Sequence, residues 1–130
     1  MIGLDTSAII DLFRGDENIK KVFVQQTEPF AATQLTYLEL IFGIDPELKQ
    51  HKEEKAYYDE LIKSMLLLSL DTAASLKASE IFWKLRKQGI TLGKFDTAIA
   101  AIFLVNGISK IITKNKKHFE DIPGLKVISY

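Results

Sequence analysis

Five short apolar runs recur along the chain, at residues 1–4 (MIGL), 30–33 (FAAT), 66–70 (LLLSL), 110–113 (KIIT) and 125–129 (LKVIS). Each has the length of a strand, and none alternates strictly between polar and apolar residues as a sheet with one wet face requires. Helical patterns separate most of them, too long for hairpin turns, so successive strands are joined by crossovers and lie parallel. A parallel sheet needs cover on both faces, and the intervening helices supply it. The class is therefore α/β.

The helical segments have readable limits. SAIIDLF begins a helix that ends at Arg14-Gly15, and ENIKKVFVQQ forms a second short one. QLTYLELIFGI is mostly apolar and ends near Gly43. In DPELKQ, Asp45 is suited to an N-cap and Pro46 to the first turn of a helix. That helix would place Tyr58, Leu61, Ile62, Met65 and Leu66 on one stripe. DTAASLKASEIFWKLRKQG repeats Ala74, Ala78, Ile81, Phe82 and Leu85 on one face and stops at Gly89. GKFDTAIAAIFLVNG has hardly any polar face, which predicts a buried helix, and KKHFEDI predicts a short helix before the last strand.

With 130 residues the chain is expected to form one domain over residues 1–130. It has no cysteine, which removes disulfides and thiolate metal sites. The longest apolar run, Ala98 to Val105, is far shorter than the roughly 20 residues that span a bilayer. Asp5 and Asp11 interrupt an N-terminus without a basic stretch, so it does not read as a signal peptide. A cytoplasmic protein without a membrane partner is the expectation.

In a sheet of this kind the chain winds one way, returns to the middle and winds the other way. Ligands bind at the carboxyl ends of the strands where it reverses. With strands 1, 2 and 3 on one side and 4 and 5 on the other, strands 1 and 4 meet at the switch. Asp5 ends strand 1, and Thr113 and Asn115 follow strand 4. Asp5 is then either a helix cap or a functional group.

Two other acids stand out. Glu39 is the only charge between Gln34 and Ile44, among Leu35, Leu38 and Phe42. A carboxylate on such a face is costly unless it reaches the rim, pairs with a lysine or meets a metal. Asp96 falls in the first turn of the apolar helix after Gly93, where a negative charge offsets the helix dipole and also suits a metal ligand. Crowded together, Asp5, Glu39 and Asp96 would repel, and a hard divalent cation, Mg²⁺ or Mn²⁺, is the natural remedy. Zinc is poorly served by a chain with only His51 and His118. His118 reads as a solvated or packing residue. Neither of the glycine-rich phosphate loops, G-x-x-x-x-G-K-[ST] or G-x-G-x-x-G, is present.

Charge is unevenly distributed. Residues 1–75 carry 7 Lys/Arg against 13 Asp/Glu, and residues 76–130 carry 10 against 4, so a net of −6 meets a net of +6. The basic half is either solvated helix faces or a surface for a polyanion, built from Lys84, Arg86, Lys87, Lys94, Lys110, Lys114, Lys116 and Lys117.

LDTSAIIDLF, TQLTYLELIFGI, GKFDTAIAAIFLVNG and ITKNKKHFEDIPGLKVI, in that order, resemble the PIN-domain ribonucleases, specifically the VapC-type toxins of toxin–antitoxin pairs. The resemblance spans essentially the whole chain. It implies a three-layer fold with a five-stranded parallel sheet of order 3-2-1-4-5 between helices. It also implies metal-dependent hydrolysis of RNA phosphodiesters. Asp5, Glu39 and Asp96 match the family's three acids and would be both catalytic and metal-holding. Asn115, the fourth candidate catalytic residue, falls where members carry Asp or Asn, so a full fourth acid is absent here. Thr6, Ser7 and Thr113 match small polar positions around the acids. Lys94, Lys114, Lys116 and Lys117 are candidates for RNA contact, and the implied partners are RNA, a cognate antitoxin and a second copy of the chain. Two alternatives stay open. One is a catalytically silent scaffold of the same fold that binds RNA or protein. The other is a phosphoacceptor signalling module with Asp71 after strand 3, although such a module wants two adjacent acids after strand 1 and gives Glu39 no role.

Overall fold

The computed structural model describes residues 1–130. All five apolar runs form strands: β1 (Ile2–Leu4), β2 (Phe30–Thr33), β3 (Leu66–Leu68), β4 (Lys110–Thr113) and β5 (Lys126–Ser129). Every pairing is parallel, and the order is β3-β2-β1-β4-β5. Gly3 at the centre pairs with Ala31 of β2 on one side and with Ile111 of β4 on the other. The six helices are α1 (Thr6–Arg14), α2 (Glu17–Gln25), α3 (Gln34–Phe42), α4 (Lys49–Lys63), α5 (Thr72–Lys87) and α6 (Lys94–Val105).

The two-residue period of the strands divides their side chains between two cores. Ala31 and Ile111 pack with Ile81 and Leu85 of α5 and with Ile99 and Phe103 of α6. Ile2, Leu4, Ala32 and Ile112 face the other way, onto Ile9 and Leu12 of α1, Leu40 of α3, and Tyr58 and Ile62 of α4. The result is three layers, with α5 and α6 on one face and α1, α3 and α4 on the other. α6 is as buried as its composition demands: Ile99 through Phe103 are all fully inside. It comes so close to β1 that a Cβ on Gly3 would lie 2.5 Å from the Phe103 ring. Gly15 ends α1 in the left-handed conformation, φ 75°, and its N–H caps the carbonyls of Asp11 and Leu12.

Local limits depart from expectation in a few places. Asp45 does not cap a helix. Its carboxylate accepts the N–H of Glu47 at 2.9 Å in a tight turn, and α4 starts only at Lys49, with Leu48 offering no side-chain cap. β3 stops at Leu68, and because Leu66 opens that strand it leaves the α4 stripe and is 44% exposed. The KKHFEDI segment is a single 3-10 turn at Lys116–His118. Its continuation is pulled inward by Phe119, Ile122 and Leu125, all in the α5/α6 core.

Candidate active site

Asp5 follows the last residue of β1 with extended backbone, and its carboxylate is the N-cap of α1. Oδ1 accepts the Ala8 N–H at 3.0 Å and the Ser7 hydroxyl at 2.8 Å, while Oδ2 accepts the Thr113 hydroxyl at 2.5 Å. Capping does not bar a functional role, since the carboxylate that caps α1 also ties the end of β1 to the end of β4. Asp5 is only 3% exposed, and no cationic side chain pairs with it. Burial pushes its pKa above the ordinary 3.8, hydrogen bonds from Thr113, Ala8 and Ser7 pull it back, and the nearby Asp96 carboxylate pushes it up again.

The hydroxyls form a cradle. Ser7 receives the Lys114 N–H at 3.2 Å and lies 3.4 Å from Thr113, whose oxygen receives the Asn115 N–H at 2.9 Å. Ser7 and Thr113 thus adjoin Asp5 at the end of β1.

Glu39 is on α3, one turn after Thr36 and half-buried. Its Oε1 accepts the Thr6 hydroxyl at 2.6 Å. A carboxylate only accepts, so the single hydroxyl proton of Thr6 is committed to Glu39. The oxygen of Thr6 then stands 3.5 Å from that of Thr36, which stands 3.4 Å from Thr33. Thr33 and Thr36 are fully buried, and Thr33 caps α3 by accepting the Thr36 N–H at 3.1 Å. Glu39 is therefore fixed to α1 through Thr6, not paired with a lysine.

Asp96 lies in the first turn of α6, whose cap residue Gly93 has no side chain to offer. Its Oδ2 meets Nδ1 of His118 at 2.9 Å. Asn115 directs its backbone into the cradle, and its exposed side chain lines an open concavity of about 560 Å³ with Lys114, Lys116, Lys117, His118 and Glu120. Lys94 is not in that concavity; it lines a separate hollow with Ser79 and Phe82 of α5.

Sequence reasoning missed three groups. His118 reads as a solvated residue and is 54% exposed, yet it pairs with Asp96. The signal was Phe119, whose burial in the α6 core draws the preceding turn over the start of that helix. Thr33 and Thr36 sit at a T-x-x-T spacing that suits a helix start, a local signal that would not have shown that they adjoin Thr6. The Asp11–Tyr130 bond, 2.7 Å long and linking α1 to the last residue, had no signal at all.

No three of the carboxylate and imidazole groups stand together as a ready-made metal cage: Glu39 is turned to Thr6 and Asp96 to His118. The donor chemistry nonetheless fits a hard cation. Asp5 is a buried carboxylate without a cationic partner, and a second acid raises its pKa, an arrangement that a divalent ion relieves.

A protein-family model described as PIN domain matches residues 2–125. The chain is 28% identical over 125 residues to the tRNA(fMet)-specific endonuclease VapC of Salmonella typhimurium, covering 95% of this chain and 93% of that one. It is 32% identical over 131 residues to Ribonuclease VapC1 of Rickettsia felis, covering 97% and 93%. Among solved structures, DNA-bound VapBC from Salmonella typhimurium superposes with a TM-score of 0.82 at 26% identity, covering 98% of this chain and 96% of that one. VapBC-1 from nontypeable Haemophilus influenzae gives 0.81 at 28%, covering 99% and 98%. Sheet order, layers, the acid at the end of β1 and the match along nearly the whole chain lead to one conclusion: this protein belongs to the PIN domain family.

Proposed function

We propose that this protein is a divalent-metal-dependent endoribonuclease and the toxin of a toxin–antitoxin pair. The observation that carries the reading is the Asp5 carboxylate, buried without a cationic partner at the end of β1, beside β4, where the chain reverses its winding. The two relatives named above, a tRNA endonuclease and a ribonuclease, match over nearly their whole length and support RNA as substrate.

Asp5, Asp96 and Glu39 would hold Mg²⁺ or Mn²⁺. Bound there, such an ion lowers the pKa of water and neutralises charge on the phosphate in flight. The chain's own part is orientation. Ser7, Thr113 and the Ala8 N–H all donate to Asp5, which fixes both its oxygens and leaves one acceptor site free, on Oδ2. Thr6 fixes Glu39 in the same way, and His118 holds Asp96 at the mouth of the groove. Lys114, Lys116 and Lys117 beside Asn115 supply phosphate contacts along the strand. None of these side chains is placed as a nucleophile.

Solved relatives described as VapBC complexes support a cognate antitoxin as partner. Leu38 and Phe42 flank Glu39 on α3 and are 39% and 75% exposed, apolar surface that suits the antitoxin or a second copy of the chain. Incubating the protein with RNA in Mn²⁺ and in chelator tests the enzymatic reading. Internal cleavage confined to the Mn²⁺ arm is expected; intact RNA in both arms would leave only a binding scaffold.

A further inference from the structure

α5 carries a feature that the acidic groove does not use. Its second half reads FWKLRK from Phe82 to Lys87, aromatic and basic residues interleaved. Trp83 is 52% exposed, and the Arg86 guanidinium lies over both rings, 5.8 Å from the centroid of Phe82 and 5.4 Å from that of Trp83. Lys84, Arg86, Lys87 and Lys94 take part in no ion pair within the chain. Between this helix and the start of α6 is a hollow of about 200 Å³ lined by Ala78, Ser79, Phe82, Lys94 and Thr97. It exists because two small residues, Ala78 and Ser79, stand where larger side chains would fill the crossing of the two helices. Its wall is almost wholly apolar. The Thr97 hydroxyl is spent on the Gly93 carbonyl at 2.8 Å, which leaves the Ser79 hydroxyl and the Lys94 ammonium as the free polar groups. Lys94 stands two residues before Asp96.

We infer that this hollow is a nucleobase subsite for single-stranded RNA, with Phe82 as the stacking ring, Ser79 as the partner of the base edge and Lys94 as the anchor of the adjoining phosphate. The inference rests on the ribonuclease reading and extends it, from the phosphate being cut to the base beside it. An apolar hollow with one aromatic wall suits any base, because every base has a π-face, and a lone cation beside it suits the phosphate that comes with it. Charge decides between RNA and a second copy of the chain. Between Thr72 and Lys94 the only acid is Glu80, which faces Lys77 at 3.7 Å. A two-fold axis centred on this surface would bring Lys84, Arg86 and Lys87 near their own copies, with Glu80 the only acid of the segment to offset them. A polyanion meets them directly.

The test measures binding in chelator, where the strand stays uncut, of a labelled single-stranded RNA of mixed sequence and of the same strand with abasic sugars. Ser79→Phe fills the hollow from an exposed helix position, and Phe82→Leu removes the stacking ring while keeping apolar packing. Both variants should weaken the intact RNA about tenfold or more and leave the abasic strand bound as by the wild type, with circular dichroism and melting unchanged for Ser79→Phe. Equal affinity of wild type and both variants for intact RNA would overturn the inference. So would equal losses on intact and abasic strands, which mark a phosphate surface only. A change in sedimentation with RNA affinity unchanged would assign the hollow to self-association instead. Base-dependent binding by a wild type that cuts nothing in Mn²⁺ would keep the subsite and overturn the ribonuclease reading.

Discussion

Thr113 donates its hydroxyl to Oδ2 of Asp5 at 2.5 Å, tying the end of β4 to the end of β1 across 108 residues of chain. The bond exists because these strands are parallel neighbours, so both carboxyl ends open on one side of the sheet. It is one of three donors that partly offset the cost of burying this carboxylate. Several consequences can be measured.

The first is a pH dependence. The folded pKa of Asp5 is raised above 3.8, so over the interval between the two values the native state binds more protons than the unfolded state. Stability in chelator should therefore fall as pH rises from near 3.8 through the raised value. Asp5→Asn should lack this contribution and should be no less stable than wild type at neutral pH. Thr113→Val removes a donor that favours the ionised form, so the fall should extend to higher pH. Melting temperatures of the three proteins across pH in chelator measure it, and three parallel profiles would contradict the account of Asp5.

Glu39→Gln keeps an oxygen for the Thr6 hydroxyl and removes the charge. Without metal the change should be close to neutral for stability. With Mn²⁺ the variant should gain less in melting temperature than wild type, because its affinity for the ion has fallen and ligands stabilise by mass action. Cleavage should slow by orders of magnitude and recover in part at high Mn²⁺. An equal metal-induced shift in both proteins would remove Glu39 from the site.

Asp71 accepts the Ala74 N–H at 2.8 Å and caps α5. Asp71→Ala should cost about 0.5–2 kcal/mol, read from denaturant unfolding, and leave cleavage per folded molecule unchanged. Loss of activity in a fully folded variant would restore the phosphoacceptor reading.

Gly3→Ala places a methyl group 2.5 Å from the buried Phe103 ring at the centre of the sheet. Neither β1, paired on both sides, nor α6 can retreat freely, so the cost should be about 1–3 kcal/mol or more, as for other overpacked cores. Gly3→Ala with Phe103→Leu should recover part of it. A single variant as stable as wild type would mean that α6 is free to move off the sheet.

Much of this architecture is written in local patterns. The five apolar runs, the nearly all-apolar α6 and the caps at Gly15 and Asp71 follow from neighbours a few residues away, and the switch between β1 and β4 follows from topology. The placement of Asp5 and Thr113 at that switch was legible for the same reason, whereas Thr6 and Ser7 were singled out through the family resemblance. What stayed hidden depends on distant packing. His118 reaches Asp96 only because Phe119 is buried under α6, and Thr36 adjoins Thr6 only because α3 packs on α1. Asp45 looked like a helix cap, but its side chain bonds within its own turn at Glu47, and α4 begins later. Lys94 grouped with the other lysines by charge alone, whereas the fold sets it beside α5.

The central claim is that Asp5 and Asp96 form one catalytic centre at the meeting of β1, β4 and α6. Its most direct test is cleavage of RNA at saturating Mn²⁺ by wild type, Asp5→Asn and Asp96→Asn, each confirmed as folded by melting in chelator. The account predicts metal-dependent internal cleavage by the wild type and none by either variant, with Asp5→Asn at least as stable as the wild type without metal. Wild-type turnover by either folded variant would contradict it.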